Sequence, residues 1–278
     1  MKQQRMKGVA DLSRPALMVV ASATATVKLY EFQASISTND TTICKGKWHM
    51  TPNALTALIT GGTSGIGRAA AKKLAQLGIH VIVVGRNAER GEQTVADIRA
   101  AGGKADFISS DLRDASSARA VVSRAVELGN GHIDILINNA GIYPFGPTHE
   151  TTEEMFDSVY SLNVKVPYFL VAALAPLMAQ RGKGAIVNVS TMVADYGAAG
   201  MSLYGSSKAA LNLLTKVWAA EYGPSGVRVN AVSPGPTRTE GTDAMGEGLE
   251  KLAAQAPAGR PAGRWPPQTE HASTAALF

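Results

Sequence analysis

A tyrosine and a lysine one helical turn apart are the residues of this sequence best suited to acid–base chemistry. Tyr204 lies four residues before Lys208, at the start of the apolar run SLYGSSKAALNLL. Residues at i and i+4 share one face of a helix, and a nearby ammonium group favours phenolate and lowers the pKa of the phenol. The two residues could form an acid–base device, or they could be a pair of side chains on a helix surface. The other motifs of the sequence decide between these interpretations.

A glycine-rich turn, TGGTSGIG, lies between an apolar run typical of a strand and a helical stretch. Gly61, Gly65 and Gly67 would let the backbone turn tightly and approach a pyrophosphate, whose charge the helix N-terminus stabilises. An ordinary glycine-rich turn is the alternative, but the strand–turn–helix context favours a dinucleotide site. The spacing is G-x-x-x-G-x-G, which differs from the common G-x-G-x-x-G fingerprint.

The end of the second predicted strand indicates which dinucleotide binds. An NAD site usually places an acid about 20 residues beyond the glycine turn, where it binds the ribose 2′-hydroxyl. Gly85 occupies that position here, and Arg86 follows it. An arginine can pair with a 2′-phosphate through two hydrogen bonds, whereas an acid would repel it. We therefore predict a preference for NADP(H), with NAD(H) as the second option; a solvated loop arginine is the alternative interpretation of Arg86.

Short β-branched runs alternate with helical stretches after residue 50, which predicts an α/β fold with a doubly wound parallel sheet. Several runs are apolar throughout, as expected of strands that helices cover on both faces. Gly78 is predicted to end the first helix and Asp114 to begin the third, while Thr151 and Glu154 have capping-box spacing before the long fourth helix. The six predicted strands are LTALIT, HVIVVG, ADFISSD, IDILIN, GAIVNVST and GVRVNAVS.

Four motifs in this order resemble the short-chain dehydrogenase/reductase family: TGGTSGIG, NNAG at 138–141, YGSSK and NAVSPG. The resemblance extends from about residue 54 to at least Pro257 and implies a Rossmann-type fold. It also implies hydride transfer between a nicotinamide nucleotide and a carbonyl compound or secondary alcohol. In this comparison Tyr204 is the general acid–base, Lys208 assists it and binds the nicotinamide ribose, and Asn163 links Lys208 by water to solvent.

The same resemblance implies which residues contact the cofactor. Asp111 and Leu112, at the end of the third strand, are expected beside the adenine, and the NNAG turn is expected on the ribose side. The loop after the sixth strand is expected beside the nicotinamide and the pyrophosphate. Together with Tyr204 and Lys208, the implied cofactor-binding residues are Gly61, Thr63, Ser64, Gly65, Ile66, Gly67, Arg86, Asp111, Leu112, Asn138, Ala140, Gly141, Pro234, Gly235, Thr237 and Thr239.

A threonine stands where the family usually has its catalytic serine. That serine lies about 13 residues before the tyrosine, a position that Thr191 occupies here, with Ser190 before it. Successive strand residues point to opposite faces, so one of the two hydroxyls is expected to reach the site. Spacing favours Thr191, and Ser190 is the alternative. A threonine keeps the hydroxyl donor but adds a methyl group and restricts χ1.

Composition and charge limit the classes of partner. The chain has 278 residues and a net charge of +5, of which +4 lies in residues 1–49. The remainder is nearly neutral, so no nucleic-acid partner is predicted. The only cysteine, Cys44, excludes an intramolecular disulfide and fits a reducing compartment, so we predict a cytoplasmic protein. The five histidines lack ligand spacing, and no metal site is predicted.

The two ends of the chain differ from its body. Residues 1–49 contain a weakly apolar run, PALMVVASATATV, that is too short to span a bilayer, so no membrane partner is predicted. We predict a disordered or non-native extension there, with a transit segment as the alternative, followed by one domain over residues 50–278. The family's seventh strand has no counterpart before Phe278, so we expect a domain shortened at its C-terminus that forms a homodimer rather than a tetramer.

These patterns together predict an NADP-dependent carbonyl reductase or alcohol dehydrogenase acting on a small-molecule substrate. A nucleotide-binding protein without turnover is the alternative, because the missing C-terminal segment could abolish activity. The aromatic segment YPFGP, which follows the NNAG motif, either lines the substrate pocket or is a packed loop.

Overall fold

A six-stranded parallel sheet forms the centre of the protein, with strand order β3-β2-β1-β4-β5-β6. The computed structural model describes residues 55–242. The strands are β1 Thr56–Thr60, β2 His80–Gly85, β3 Ala105–Ser109, β4 Ile135–Asn138, β5 Gly184–Val189 and β6 Val227–Val232. The helices are α1 Gly65–Gln76, α2 Ala88–Ala100, α3 Ala115–Leu128, α4 Glu153–Tyr160, α5 Val166–Gln180 and α6 Ser202–Tyr222.

Helices cover both faces of the sheet, as the continuous apolar runs of the strands predict. In β1, Leu58 belongs to a core that includes residues of α3, α5 and α6. Its neighbours Ala57 and Ile59 belong to a second core with residues of α1 and α2. The alternation follows from the period of two residues along a strand. The predicted doubly wound α/β fold is confirmed.

Two of the three predicted helix boundaries agree with the structure. Asp114 caps α3 by accepting a hydrogen bond from the backbone N–H of Ser117 at 2.7 Å. Gly78 has a φ of +80° and follows the end of α1. The predicted cap at Thr151 is wrong, because α4 begins one residue later. Thr152 is the N-cap, and its hydroxyl accepts a hydrogen bond from the N–H of Met155 at 3.2 Å.

A π turn, Ser161–Lys165, joins α4 to α5 within the long predicted helix. The whole segment Glu153–Gln180 has 28 residues and a mean hydropathy of 1.5, so by length and composition it could cross a membrane. Here it packs as a core helix, with Leu170, Val171 and Leu174 among its fully buried residues. A buried helix of a water-soluble fold has the same composition, so this feature is weak evidence for a membrane span.

The strand order places a crevice at the carboxyl ends of β1 and β4. The chain continues outward on one side from β1 through β2 to β3, and then restarts at β4 beside β1. Loops at such a switch point diverge and leave room for a ligand. The segments that follow β1, β4, β5 and β6 meet there. The predicted N-terminal extension, the predicted C-terminal shortening and the predicted lack of a seventh strand all concern residues outside the described range.

Candidate active site

A cavity of about 310 Å³ opens at the carboxyl ends of these strands. Its lining combines the start of α1, the loops after β4, β5 and β6, and the first turns of α6. Twelve of the predicted site residues share this lining: Ser64, Gly65, Ile66, Gly141, Ser190, Thr191, Tyr204, Lys208, Pro234, Gly235, Thr237 and Thr239. The others lie outside the lining: Gly61, Thr63, Gly67, Arg86, Asp111, Leu112, Asn138, Ala140 and Asn163.

Lys208 is buried at the base of the cavity. Its side chain is 3% exposed, and Nζ donates a hydrogen bond to the carbonyl oxygen of Val189 at 2.8 Å. This contact joins α6 to the end of β5. Burial lowers the pKa of Lys208 to about 8, because the protein interior disfavours the charged form. A lysine with this pKa can gain or lose a proton near neutral pH.

Tyr204 lies one turn before Lys208 on α6 and faces the same cavity. Burial raises the pKa of the Tyr204 phenol to about 12, although a hydrogen bond with Thr191 acts in the opposite direction. This differs from the lowering expected from Lys208, because loss of hydration outweighs the other interactions. A phenol with this pKa keeps its proton at neutral pH, as a group that donates a proton to a carbonyl oxygen must.

Both candidate residues after β5 border the cavity, and one of their two hydroxyls is expected to reach it. Thr191 Oγ1 accepts a hydrogen bond from the N–H of Val193 at 3.4 Å and also interacts with Tyr204. The bond from Val193 uses a lone pair of Oγ1, so the hydroxyl proton of Thr191 can still be donated. Ser190 is 4% exposed, and its hydroxyl has no hydrogen-bond partner among the described residues. The Ser190 Oγ is also buried from solvent, so Thr191 remains the hydroxyl predicted to reach the site.

Asn163 is fully buried in the π turn and holds the loop beside Lys208. Its side chain accepts from the N–H of Ile142 at 3.0 Å and donates to the carbonyl of the same residue at 2.9 Å. Asn163 Nδ2 also donates to the Ser207 hydroxyl at 3.0 Å. A Cβ on Gly141 would lie 3.1 Å from Asn163 Oδ1 and 3.3 Å from Lys208 Nζ, so this glycine separates the two polar groups.

The glycine turn has the backbone conformation and close packing that a dinucleotide site requires. Gly61 and Gly65 have φ values of +63° and +52°, which favour glycine. A Cβ on Gly61 would lie 2.9 Å from the Cα of Ala140 in the neighbouring loop. Asn139, which was not among the predicted site residues, donates from Nδ2 to the carbonyls of Thr60 and Gly61 at 3.0 Å each. Asn139 is the second asparagine of the NNAG motif, so the motif itself could have identified it as a residue that holds the glycine turn.

Some residues of the NNAG motif contact the protein core, and others line the cavity. The side chain of Asn138 is buried and donates to Asn188 Oδ1 at 2.8 Å, inside the sheet rather than toward a ligand. The backbone N–H of Ala140 donates to the Thr60 hydroxyl at 3.1 Å. Asn138 and Ala140 therefore hold the turn in place through bonds to the sheet, and Gly141 lines the cavity.

The adenine end of the predicted site lies beyond β2 and β3. Arg86 is exposed directly after Gly85. A Cβ on Gly85 would lie 2.5 Å from the Thr63 methyl group, so an acidic side chain cannot occupy this position without displacing Thr63. The expectation that Asp111 and Leu112 end β3 is wrong: β3 ends at Ser109, and both residues lie in the segment that follows.

The loop after β6 folds back on itself at the mouth of the cavity. Thr237 Oγ1 donates to the carbonyl of Gly235 at 2.9 Å, and Thr242 Oγ1 donates to the carbonyl of Thr237 at 2.8 Å. The loop also reaches α1, where the backbone N–H of Gly65 donates to the Glu240 carboxylate at 2.9 Å. Arg68 of α1 forms an ion pair with the same carboxylate. No local motif in the sequence marks Arg68 or Glu240 as a site residue.

Comparison with known proteins identifies the family. The family model for short chain dehydrogenases matches residues 55–250. The chain belongs to the short-chain dehydrogenase family. An uncharacterized oxidoreductase of Thermotoga maritima is 44% identical over 184 residues, which are 66% of this chain and 72% of that protein. The gluconate 5-dehydrogenase of Gluconobacter oxydans is 36% identical over 80% of this chain and 86% of its own length.

Solved structures agree with this assignment. A short chain dehydrogenase from Burkholderia cenocepacia, solved in complex with NADP, is 35% identical and has a TM-score of 0.73, with 82% of this chain and 91% of that chain covered. Short-chain dehydrogenases are oxidoreductases that use NAD or NADP. The protein is therefore an enzyme acting on alcohol or carbonyl groups, and the alternative of nucleotide binding without turnover is not favoured. Within residues 55–242, no group of three or more His, Cys, Asp or Glu side chains could hold a metal ion.

Proposed function

We propose that this short-chain dehydrogenase is an NADP-dependent carbonyl reductase that also runs in the direction of alcohol oxidation. The observation that carries the proposal is the convergence of Thr191, Tyr204 and Lys208 in one cavity with the glycine turn. Gly61 and Gly65 have the positive φ values that allow close approach of a pyrophosphate, and the first turn of α1 contains no acidic residue of its own. The described residues therefore fit a nicotinamide nucleotide.

The bound nucleotide would supply the hydride that reduces the carbonyl carbon. The Tyr204 hydroxyl would donate its proton to the carbonyl oxygen, because burial keeps this phenol protonated at neutral pH with a pKa of about 12. The Thr191 hydroxyl would donate a hydrogen bond to the same oxygen and hold it beside Tyr204. Lys208, whose pKa is lowered to about 8 by burial, lies next to Tyr204 and can return a proton to it. Asn163 fixes the loop beside this lysine.

Two features support NADP as the preferred nucleotide. Arg86 is exposed directly after β2, at the position that reaches the 2′-substituent of the adenine ribose in dinucleotide folds. The Thr63 methyl group fills the space beside Gly85 that an acidic side chain would need. The site therefore offers a cation and excludes the acid that would repel a 2′-phosphate.

The described part of the substrate pocket supports an uncharged substrate. Lys208 contributes the only charged side chain among the described lining residues, and its ammonium group already donates to Val189. Apolar and aromatic residues make up the outer wall: Tyr143, Phe145, Met192, Val193 and Met201. A carboxylate or phosphate placed there would lose hydration without gaining a partner. The YPFGP segment thus lines the pocket, and the ring of Tyr143 packs edge-on against Tyr204, with centroids 6.1 Å apart.

A matched pair of ketones tests this function. 4-Methylacetophenone and 4-acetylbenzoate share their ring and carbonyl group but differ in charge, and reduction is followed by NADPH oxidation. We expect kcat/KM to be at least about tenfold higher for the uncharged ketone, a difference of roughly 1.4 kcal/mol. Equal values of kcat/KM would contradict an uncharged pocket.

The Tyr204→Phe variant tests the role of the phenol. Its turnover should fall by about 10²–10⁴ while its Kd for NADPH stays unchanged, because only the proton donor is lost. Undiminished turnover would contradict the role of Tyr204.

We also infer that the protein forms a homodimer through α4, α5 and α6. These neighbouring helices carry exposed apolar side chains, including Phe156, Tyr168, Leu213 and Val217. Tyr168 of α5 lies 6.1 Å from Trp218 of α6 between ring centroids, and Tyr160 of α4 donates a hydrogen bond to Ser206 of α6. The exposed side chains therefore belong to one adjoining surface, of the kind that a second copy covers.

A further inference from the structure

The N-terminus of α1 lacks a cap from its own sequence. Ser64 is the N-cap residue, but its side chain makes no capping hydrogen bond, and the first turn contains no acidic residue. The unpaired N–H groups and the helix dipole at such an end attract an anion. In a dinucleotide-binding fold this end receives the pyrophosphate.

A carboxylate from the other end of the described chain occupies this place. Glu240 lies 175 residues after Gly65 and accepts the hydrogen bond from the Gly65 N–H at 2.9 Å. Arg68, in the second turn of α1, forms an ion pair with the same carboxylate. Burial raises the pKa of Glu240, but hydrogen bonds from the backbone, including that of Gly65, and the charges of Arg68 and Arg90 lower it by more. Glu240 is thus held as a carboxylate anion.

The loop that carries Glu240 is ordered by its own hydrogen bonds. The N–H of Thr239 donates to the Thr242 hydroxyl at 2.8 Å, and that hydroxyl donates to the carbonyl of Thr237 at 2.8 Å. The Thr239 side chain lies 3.3 Å from the position that a Cβ on Gly65 would take. The loop therefore rests directly on the glycine turn, and Glu240 cannot stay there once another anion binds the same N–H group.

We propose that Glu240 is an internal competitor of the cofactor pyrophosphate, and that Arg68 passes from Glu240 to the pyrophosphate when the nucleotide binds. The inference rests on the proposed function, since it assumes a dinucleotide at the glycine turn. Two anions cannot share the Gly65 N–H and the Arg68 guanidinium without strong repulsion. The apparent affinity for the nucleotide is lowered by the fraction of molecules in which Glu240 occupies the site. Arg68 is thereby a cofactor-binding residue and Glu240 a regulator of cofactor affinity.

Binding of NADPH to variants of these two residues tests the proposal. Glu240→Gln keeps the size of the side chain and removes its charge, so the Kd for NADPH should fall, by roughly threefold to tenfold from the strength of charge interactions at helix termini. Arg68→Gln should raise the Kd by a similar or larger factor, because a charged partner of the pyrophosphate is lost. Isothermal titration calorimetry measures both. Glu127→Gln is the matched control, because Glu127 forms an exposed ion pair with Arg124 on α3, and it should leave the Kd unchanged.

Inorganic pyrophosphate gives a readout that does not depend on turnover. Its stabilising effect in a thermal melt should be larger in Glu240→Gln and smaller in Arg68→Gln than in the wild type. Glu240→Ala should act in the same direction as Glu240→Gln, which separates the loss of charge from a change in fold. An unchanged or weaker NADPH affinity in both Glu240 variants would overturn this inference while leaving the proposed function intact. Failure of the wild type to bind either NADPH or NADH would instead overturn the proposed function.

Discussion

The proton of Tyr204 is held in place by burial rather than released by its lysine neighbour. Loss of hydration raises the pKa of Tyr204 to about 12 and lowers that of Lys208 to about 8. Each group therefore favours its neutral form more strongly than it would in water. At neutral pH Tyr204 therefore holds its proton, and Lys208 is still mostly an ammonium group that can replace the proton after Tyr204 has donated it. Alcohol oxidation should become faster as pH rises.

Lys208 should give the stability of the protein a measurable pH dependence. Its pKa is about 8 in the folded protein and 10.5 for a lysine exposed to water, so between these pH values the unfolded chain holds a proton that the folded protein has lost. The free energy of unfolding therefore rises with pH in this window, by roughly 1–2 kcal/mol between pH 8 and 9.5. Tyr204 has the opposite effect above pH 10, because its folded pKa is the higher one. Urea unfolding should show this increase of the free energy of unfolding with pH in the wild type and in the control variant Lys73→Met. If the increase is still present in Lys208→Met, Lys208 is not its cause.

The two adjacent hydroxyls after β5 can be separated by mutation. Thr191→Val keeps the shape of the side chain and removes the group that interacts with Tyr204, so we expect kcat to fall by about tenfold or more. Ser190→Ala removes a hydroxyl with no hydrogen-bond partner in the described structure and should have a smaller effect. Steady-state kinetics on one ketone compares the variants. A larger loss in Ser190→Ala would move the catalytic hydroxyl to Ser190.

Arg86 should distinguish the two nicotinamide nucleotides. Only NADPH carries the 2′-phosphate that a guanidinium group can bind, so Arg86→Ala should raise the Kd for NADPH by about tenfold and leave that for NADH nearly unchanged. Fluorescence titration with both nucleotides measures the effect. Arg124→Ala, on the exposed surface of α3, is the control. Equal weakening of both nucleotides in Arg86→Ala would exclude this role.

At the scale of elements, buried polar side chains tie α6 to the sheet. Asn138 of β4 donates to Asn188 of β5 at 2.8 Å, and Asn188 donates to the Thr215 hydroxyl of α6 at 2.8 Å. Thr215 in turn donates to the carbonyl of Leu211 at 2.8 Å. Because α6 carries Tyr204 and Lys208, these bonds set the position of both residues relative to the strands.

Asn188 should therefore affect stability and catalysis together. Asn188→Leu leaves the buried Asn138 amide without its acceptor, which should lower the free energy of unfolding by roughly 1–3 kcal/mol. A shift of α6 should also lower kcat, because proton transfer is sensitive to geometry. Urea unfolding and steady-state kinetics measure the two effects. Ile186→Leu, a volume-conserving change in the same strand, is the control, and equal losses in both variants would refute the specific role of Asn188.

The sequence predicted correctly the strands and helix ends that depend on residues close together in the chain. Strands such as β2 are apolar along most of their length, and Asp114 accepts a hydrogen bond from the N–H of Ser117 in its own helix. The cap at Thr151 and the end of β3 were each misplaced, because neighbouring residues of similar chemistry compete for such boundaries. The π turn was missed because it depends on bonds from Asn163 to Ile142 and Ser207. The contact between Gly65 and Glu240 was missed for the same reason, since it joins distant segments.

At the scale of the whole molecule, the apolar surface across α4, α5 and α6 should control assembly. Leu213 and Val217 lie one turn apart on α6 and are 63% and 49% exposed. Replacing both with Glu should prevent a second copy from covering them. Size-exclusion chromatography with light scattering should then show a monomer, and the dimer that we propose should be seen for the wild type. Leu77→Glu is the control, because Leu77 is 46% exposed after α1, away from this surface. A dimer in the double variant would place the interface elsewhere.

The π turn makes this region sensitive to the number of residues as well as to their identity. A π turn holds one residue more than the same turn of α-helix. Deleting a residue within Ser161–Lys165 would let this segment close as a regular α-helix, with one residue fewer in nearly the same turn. The two flanking helices would keep almost the same relative rotation, so Phe156 and Tyr160 would stay beside α6. The wide turn that directs Asn163 toward Ile142 would be lost. A single-codon deletion here should therefore remove the bonds around Asn163 while it spares the packing of α4 and α5.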